Sequence, residues 1–219
     1  MHSKTQSRTI LLTAVTCLIA FALFEGIRKV AGTPDHDPDA YILNLLRNPE
    51  QPTRMIGPPA LEEAMRDFTA LGGYAVLLTA IAFAGLFLRF RKGRSDLRFL
   101  LFSCIAAYGA GMTLKSLIGR QRPSVVEHLS HVSSLSFPSV HSMMSAVVFL
   151  SIGLLLSELT SDRRIRTLLL VFPLLLTLLV GFSRVCMGVH YPTDVLAGWG
   201  AGLGWTWAAF RVRGSREES

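Results

Sequence analysis

The stretch "GFSRVCMGVHYPTDVLAGWG", residues 181–200, decides how the chain is read. Apolar sequence flanks it on both sides, yet it carries an arginine, a histidine and an aspartate: Arg184, His190 and Asp194. Ionisable groups are expensive inside a bilayer, so within a membrane protein they are candidates for function by default. Composition makes the membrane the first expectation. Half of the 219 residues are hydrophobic and the mean hydropathy is +0.42, which is high for a soluble domain of this length. Such a length suits a single domain, 1–219.

A span needs about 20 mostly apolar residues. Six segments qualify, each extended by about a turn into its flanks: Thr9–Phe24, Gly73–Leu88, Phe99–Leu117, His141–Leu156, Thr167–Phe182 and Val195–Phe210. The first is read as an uncleaved anchor rather than a signal peptide, since no clear small-residue cleavage site follows it. The formal net charge of +7 is then a topological signal, not a nucleic-acid footprint. Lys4 and Arg8, the Arg89–Arg98 link, Arg163–Arg166 and Arg211–Arg216 fall on one side of a six-span chain, and positive-inside logic makes that side cytoplasmic. Arg28 and Lys29 fall on the other side. Cys17, Cys104 and Cys186 lie in apolar surroundings without metal-like spacing and read as free core thiols.

Three loops are left on the outer face. The first, Glu25–Gly72, contains "GPPALEEAMRDFTALGG", which reads as a short amphipathic helix opened by Pro58 and Pro59 and stopped by Gly72 and Gly73. Met65, Phe68 and Leu71 share its apolar side, and it is expected to lie on the membrane or cap the bundle. The second loop carries "KSLIGRQRP", with Lys115, Arg120 and Arg122, and then "FPSVHS", with Ser139 and His141. The third carries Ser183, Arg184, His190 and Asp194.

Taken singly, each piece has an ordinary explanation. Lys115 and Arg122 suit interfacial anchors, Ser139 an N-cap, and Asp194 a carboxylate near the start of a helix. Their meeting on one face of one bundle is harder to explain that way. Fixed cations, a helix start and a serine suit a phosphate. Two histidines suit its transfer, one attacking phosphorus and the other protonating the leaving oxygen. A carboxylate beside the attacking imidazole fixes its tautomer. A cation 4 Å from a phosphate charge contributes roughly 4 kcal/mol at an effective dielectric near 20.

Lys115-x6-Arg122-Pro123, Pro138-Ser139-x-His141 and Ser183-Arg184-x5-His190-x3-Asp194 resemble, in order and spacing, the three-part signature of the type-2 phosphatidic acid phosphatase superfamily. With six spans the chain looks like the family's bacterial membrane branch. The motif region runs from Lys115 to Asp194. The resemblance implies an all-α bundle of six transmembrane helices in the inner (cytoplasmic) membrane, with an active site on the outer side. It implies hydrolysis of a lipid phosphate or diphosphate through a phosphohistidine, without metal or other cofactor. His190 would be the nucleophile, Asp194 its orienting partner and His141 the acid. Lys115, Arg122, Ser139, Arg184 and the Val140 backbone N–H would hold phosphate. The partners are then lipids, not nucleic acid.

One departure stands out. The family pattern has glycine where this chain has Val140. Glycine there would serve a positive φ, which valine tolerates badly. Alternatively, Ser139 caps a helix and position 140 is its first residue, where glycine would cost at most about 1 kcal/mol in propensity. Three other readings remain open: transfer of the phosphoryl group to a second lipid, lipid-phosphate binding without turnover, and a metal site made of His128, His131, His141 and His190.

Overall fold

The computed structural model describes residues 37–91 and 94–217. The expected first span, Lys4, Arg8, Cys17, Arg28 and Lys29 lie outside these residues. Seven helices are present among the described residues: α1 Pro38–Leu45, α2 Pro59–Leu71, α3 Tyr74–Arg91, α4 Arg94–Ile118, α5 Val140–Ser157, α6 Arg163–Cys186 and α7 Pro192–Glu217. The only other regular pairing among them is an isolated bridge between Arg47 and Met55.

Four of these helices, α3 to α6, are long and apolar enough to cross a membrane. They contain the second to fifth expected spans, apart from Gly73 at the start of the second. α7 contains the sixth and is the longest, with 26 residues. It is not apolar enough to stand with the four, because Gly198, Gly200, Gly202 and Gly204 dilute it and Arg211 and Arg213 close it. Its far end is nevertheless tied into the bundle. Arg213 reaches Asp96 at the start of α4 (2.8 Å) and Glu158 just after α5 (2.7 Å).

α5 is the centre. Two thirds of its length is buried, against 17–28% for the other three, as expected of a helix apolar on all sides. α6 and α7 flank it most closely, with α4 and α3 beyond. The outer helices turn large apolar side chains outward, among them Phe83, Phe90, Phe102 and Ile105. A collar of that extent suits lipid contact.

Glycines set two of the close approaches. A Cβ at Gly198 would lie 2.6 Å from the Ser139 carbonyl oxygen, and one at Gly202 2.6 Å from that of Met143. α7 therefore rests directly on the backbone of α5. On the other flank, Gly153 of α5 abuts the Leu169 carbonyl of α6. Pro173 lies four residues after Leu169 and has no N–H to give that carbonyl.

The chain order gives every helix a direction. α4 and α6 end, and α3, α5 and α7 begin, at one end of the bundle. α2 lies there too, packed on α6, with the Thr69 and Ser183 hydroxyls 2.8 Å apart. Met65 and Thr69 are its buried residues, while Phe68 and Leu71 are half-buried against neighbouring clusters. The arginines of 89–98, 163–166 and 211–213 gather at the opposite end.

Candidate active site

Ser139 opens α5 as its N-cap, with φ −70° and ψ 102°. Its hydroxyl accepts from the Ser142 N–H at 3.4 Å and from the Ser142 hydroxyl at 2.9 Å. Val140 is the first helical residue, and no non-glycine residue among those described has a positive φ. The second of the two readings of position 140 is therefore the one the backbone adopts. Valine keeps the helix start, and the first-turn N–H groups, which lack acceptors inside a helix, face the end of the bundle.

α6 ends on Met187, and Gly188 follows with φ +70°. This left-handed turn needs glycine, and space requires it as well, because a Cβ there would collide with the Arg47 guanidinium and the Glu127 carbonyl. Arg47 in turn donates to the carbonyls of Cys186 (2.9 Å) and Glu127 (3.1 Å). The turn delivers Val189 and His190 to the mouth of the bundle.

Segment 119–139 lies across that mouth and is stitched down by its own backbone. Leu129 N–H donates to Met187, Ser136 N–H to Arg120 and Ser139 N–H to Asp194. Lys115, in the last turn of α4, donates to the Leu135 carbonyl at 2.5 Å. Arg122 donates from Nε to Ser134 O (2.6 Å) and from Nη1 to Val189 O (2.5 Å). Both cations are thus oriented by neutral carbonyls rather than by carboxylates.

These elements enclose a pocket of about 330 Å³. Lys115, Arg122, Val140, His141, Arg184 and His190 line it, together with Thr69 and Ala70 of α2, Tyr74 of α3 and residues 130–134. No carboxylate among the described residues is part of the wall. Arg184 is only 2% exposed, and its Nε has no hydrogen-bond partner. A buried guanidinium without a counter-charge is costly, and an anion in the pocket would relieve that cost.

His190 is 1% exposed, and its two ring nitrogens face different groups. Arg122 Nη1 lies 3.2 Å from Nε2. A guanidinium only donates, so Nε2 accepts from Arg122 and the proton sits on Nδ1. That side faces Asp194 Oδ2 and the Ser136 hydroxyl, each at 3.4 Å. Burial pushes the imidazole pKa down to about 3; the hydrogen bond with Asp194 opposes this, and Arg184 and Arg122 add to it. Burial thus favours the neutral imidazole at His190.

Of the residues singled out from sequence, six line the pocket and Asp194 stands directly behind one of them. Ser139 is not part of the wall; its hydroxyl is turned into the helix cap. His131 also lines the pocket, and His128 Nε2 lies 2.7 Å from the Pro123 carbonyl. Among the described residues no group of three or more His, Cys, Asp or Glu is placed to hold a metal ion.

Two participants were not legible. Ser136 donates to Asp194 Oδ2 at 2.5 Å, and nothing in "LSFPSVH" separates it from its neighbouring serines. Arg120 was visible as a cation without a task. It binds Asp194 Oδ1 at 2.7 Å, and Asp39 at 2.9 Å. Its proximity to Arg122 was the available signal, but the carboxylates it meets lie 81 and 74 positions away in sequence.

The family model described as PAP2 superfamily matches residues 96–218. Phosphatidylglycerophosphatase B of Bacillus subtilis (strain 168) is 35% identical over 150 residues, 68% of this chain and 73% of that protein. Decaprenylphosphoryl-5-phosphoribose phosphatase of Mycolicibacterium smegmatis is 29% identical over 147 residues, 66% of this chain and 74% of that protein. The crystal structure of a transmembrane PAP2-type phosphatidylglycerolphosphate phosphatase from Bacillus subtilis superposes with a TM-score of 0.78 and 30% identity. The match covers 93% of this chain and 96% of that one.

Proposed function

The chain belongs to the PAP2 superfamily, and we propose that it is an integral membrane phosphatase that hydrolyses a lipid phosphate or diphosphate through a phosphohistidine. One observation carries the reading. A pocket walled by Lys115, Arg122 and Arg184, with no carboxylate among the described lining residues, is also lined by a buried imidazole whose Nε2 lies beside Arg122. The named relatives act on a phosphatidylglycerophosphate or a prenyl-linked phosphoribose. A phosphomonoester on a lipid-borne headgroup is the substrate class they share.

The proposed chemistry uses the residues as they stand. Lys115, Arg122, Arg184 and the first-turn N–H groups of α5 hold the phosphate oxygens. Ser139 contributes by capping that helix. His190 Nε2 attacks phosphorus as the bond to the lipid oxygen breaks, and His141 gives its proton to that oxygen. The phosphoimidazolium that forms is positive, and Asp194 stabilises it through Nδ1–H. Water then attacks phosphorus and gives its proton to His141. The P–N bond breaks, phosphate leaves, and His190 is neutral again. Most of the acceleration comes from charges fixed in advance.

In the proposed topology Thr9–Phe24 and α7 are the first and sixth spans. The basic links face the cytoplasm, which sets the pocket at the outer surface of the cytoplasmic membrane. The helical φ of Val140 supports turnover over binding alone, since the replacement leaves the phosphate-facing N–H groups in place. The test is phosphate release by purified protein in detergent, with chelator, from phosphatidylglycerophosphate, phosphatidate, a prenyl diphosphate and a prenyl-linked phosphosugar. Release that His190→Ala abolishes is expected; binding without release from any of the four would overturn the reading.

A further inference from the structure

Asp194 is fully buried, and burial pushes the imidazole it faces toward its neutral form. The 3.4 Å contact between them is longer than an ordinary N–H···O bond. The carboxylate is held by other groups. Oδ2 accepts from the Ser136 hydroxyl (2.5 Å) and the Tyr191 N–H (3.0 Å), and Oδ1 accepts from Arg120 Nη1 (2.7 Å). Only Arg120 among these brings a charge.

Arg120 is itself fixed from outside the signature. Its guanidinium lies 4.0 Å from the centre of the Tyr191 ring. Its Nη2 donates to Asp39 Oδ2 at 2.9 Å, and Asp39 lies on α1, the short helix of the first loop. Asp39 also takes the Thr193 N–H (3.0 Å) and the Thr193 hydroxyl (2.5 Å), so it grips the residue next to Asp194. One cation thus lies between two buried carboxylates, and α1 is docked at the back of the nucleophile. Arg120 is not part of the pocket wall.

We infer that Arg120, held in place by Asp39 of α1, is a positioning residue for catalysis: it fixes and partly neutralises the Asp194 carboxylate that orients His190. The inference rests on the phosphohistidine reading and extends the working machinery to the first loop. A contact that does not touch substrate changes kcat rather than KM. It also changes how firmly Asp194 holds an extra proton on His190. The other charged or titratable groups facing His190 are Arg122 from the loop, Arg184 from α6, and Lys115 and His141 from α4 and α5. They are the same in every variant below.

The signs follow. Arg120→Gln leaves the Asp194 charge unshared, which stabilises the His190 imidazolium. The acidic limb of kcat/KM then moves to higher pH, because the nucleophile must be neutral. Asp39→Asn gives Arg120 wholly to Asp194 and moves the limb to lower pH. Loss of alignment in Arg120→Gln is expected to lower kcat by about 10- to 100-fold, with KM changed by less than about threefold. In the double variant the acidic limb is expected where Arg120→Gln alone places it, since Asp39 reaches the Asp194 charge through Arg120.

The experiment measures pH profiles of kcat and kcat/KM for wild type, both single variants and the double variant, with His190→Ala as control. Opposite shifts of the acidic limb support the inference. Shifts in the same direction, or a KM raised tenfold at unchanged kcat in Arg120→Gln, overturn it and make Arg120 a substrate contact. If Arg120→Gln does not fold, Asp39→Asn decides alone, and an unshifted limb there overturns the inference. An active wild type with an inactive His190→Ala and an unaffected Arg120→Gln removes this inference only. An active His190→Ala removes the mechanism beneath it.

Discussion

Replacing Val140 by glycine restores the family residue, and the structure changes what that substitution is expected to do. Helix propensity alone would cost a few tenths of a kcal/mol, the difference between valine and glycine. But Val140 is only 7% exposed and belongs to the central core cluster. Its Cγ2 lies 3.8 Å from where a Cβ on Gly111 would be, beside Met143. Glycine deletes three packed carbons, as Leu→Ala does, and that deletion costs about 2–5 kcal/mol in a closed core. One side of Val140 borders the open pocket, so the lower end applies. The expected loss is about 2 kcal/mol, twice the sequence-based ceiling. Thermal unfolding in detergent measures it, and kcat/KM is compared on a bulky lipid phosphate and a small soluble phosphate ester. The widened pocket should favour the lipid and leave the small ester nearly unchanged. An unchanged melting temperature would refute the packing argument. A raised one, with equal gains on both substrates, would mean that position 140 wants a positive φ after all.

Three further expectations can be checked alongside. His190→Ala should abolish phosphate release while the protein still purifies as a folded bundle by size exclusion, and His141→Ala should lose most activity on substrates with poor leaving groups. In a background lacking Cys17, Cys104 and Cys186, a cysteine in the Arg89–Arg98 link should resist a membrane-impermeant thiol reagent in intact cells, whereas one at Ser133 should label; the reverse pattern would invert the topology. Gly198→Ala forces a methyl against the Ser139 carbonyl and should cost about 1–3 kcal/mol. It should also lower kcat by displacing the start of α5, and a fully active variant of unchanged stability would contradict the close packing of α5 and α7.

What could be read in advance was what neighbours in sequence determine. Lys115 and Arg122, Ser139 and His141, and Arg184, His190 and Asp194 each lie within one short segment, so fixed spacing carries their geometry. Pro58, Pro59 and the Gly72–Gly73 pair bound a helix because capping is local, and that helix runs from Pro59 to Leu71. Ser139 was legible as a cap, but not that capping would turn its hydroxyl away from the pocket. The Asp39–Arg120–Asp194 chain was not legible, because no periodicity links an eight-residue helix in one loop to an arginine in another. Arg47 escaped for the same reason: its task is to brace the Gly188 turn, whose partner carbonyls lie 80 and 139 residues away.

The Leu169 carbonyl, released by Pro173 and met by Gly153, has a consequence far from where it lies. Of the residues from Ile152 to Leu154 only Gly153 lacks a side chain, so sliding α5 along α6 by one residue would drive a Cβ into that oxygen. The pair is therefore indexed, like a key with a single notch. His141 lies twelve residues from Gly153 and Arg184 eleven from Pro173, or about 18 and 16 Å along the two axes. The height of His141 relative to the buried guanidinium is thus gauged from deep in the bundle, and a residue added to either helix between notch and pocket would misalign them by about 1.5 Å while leaving every residue of the signature in place.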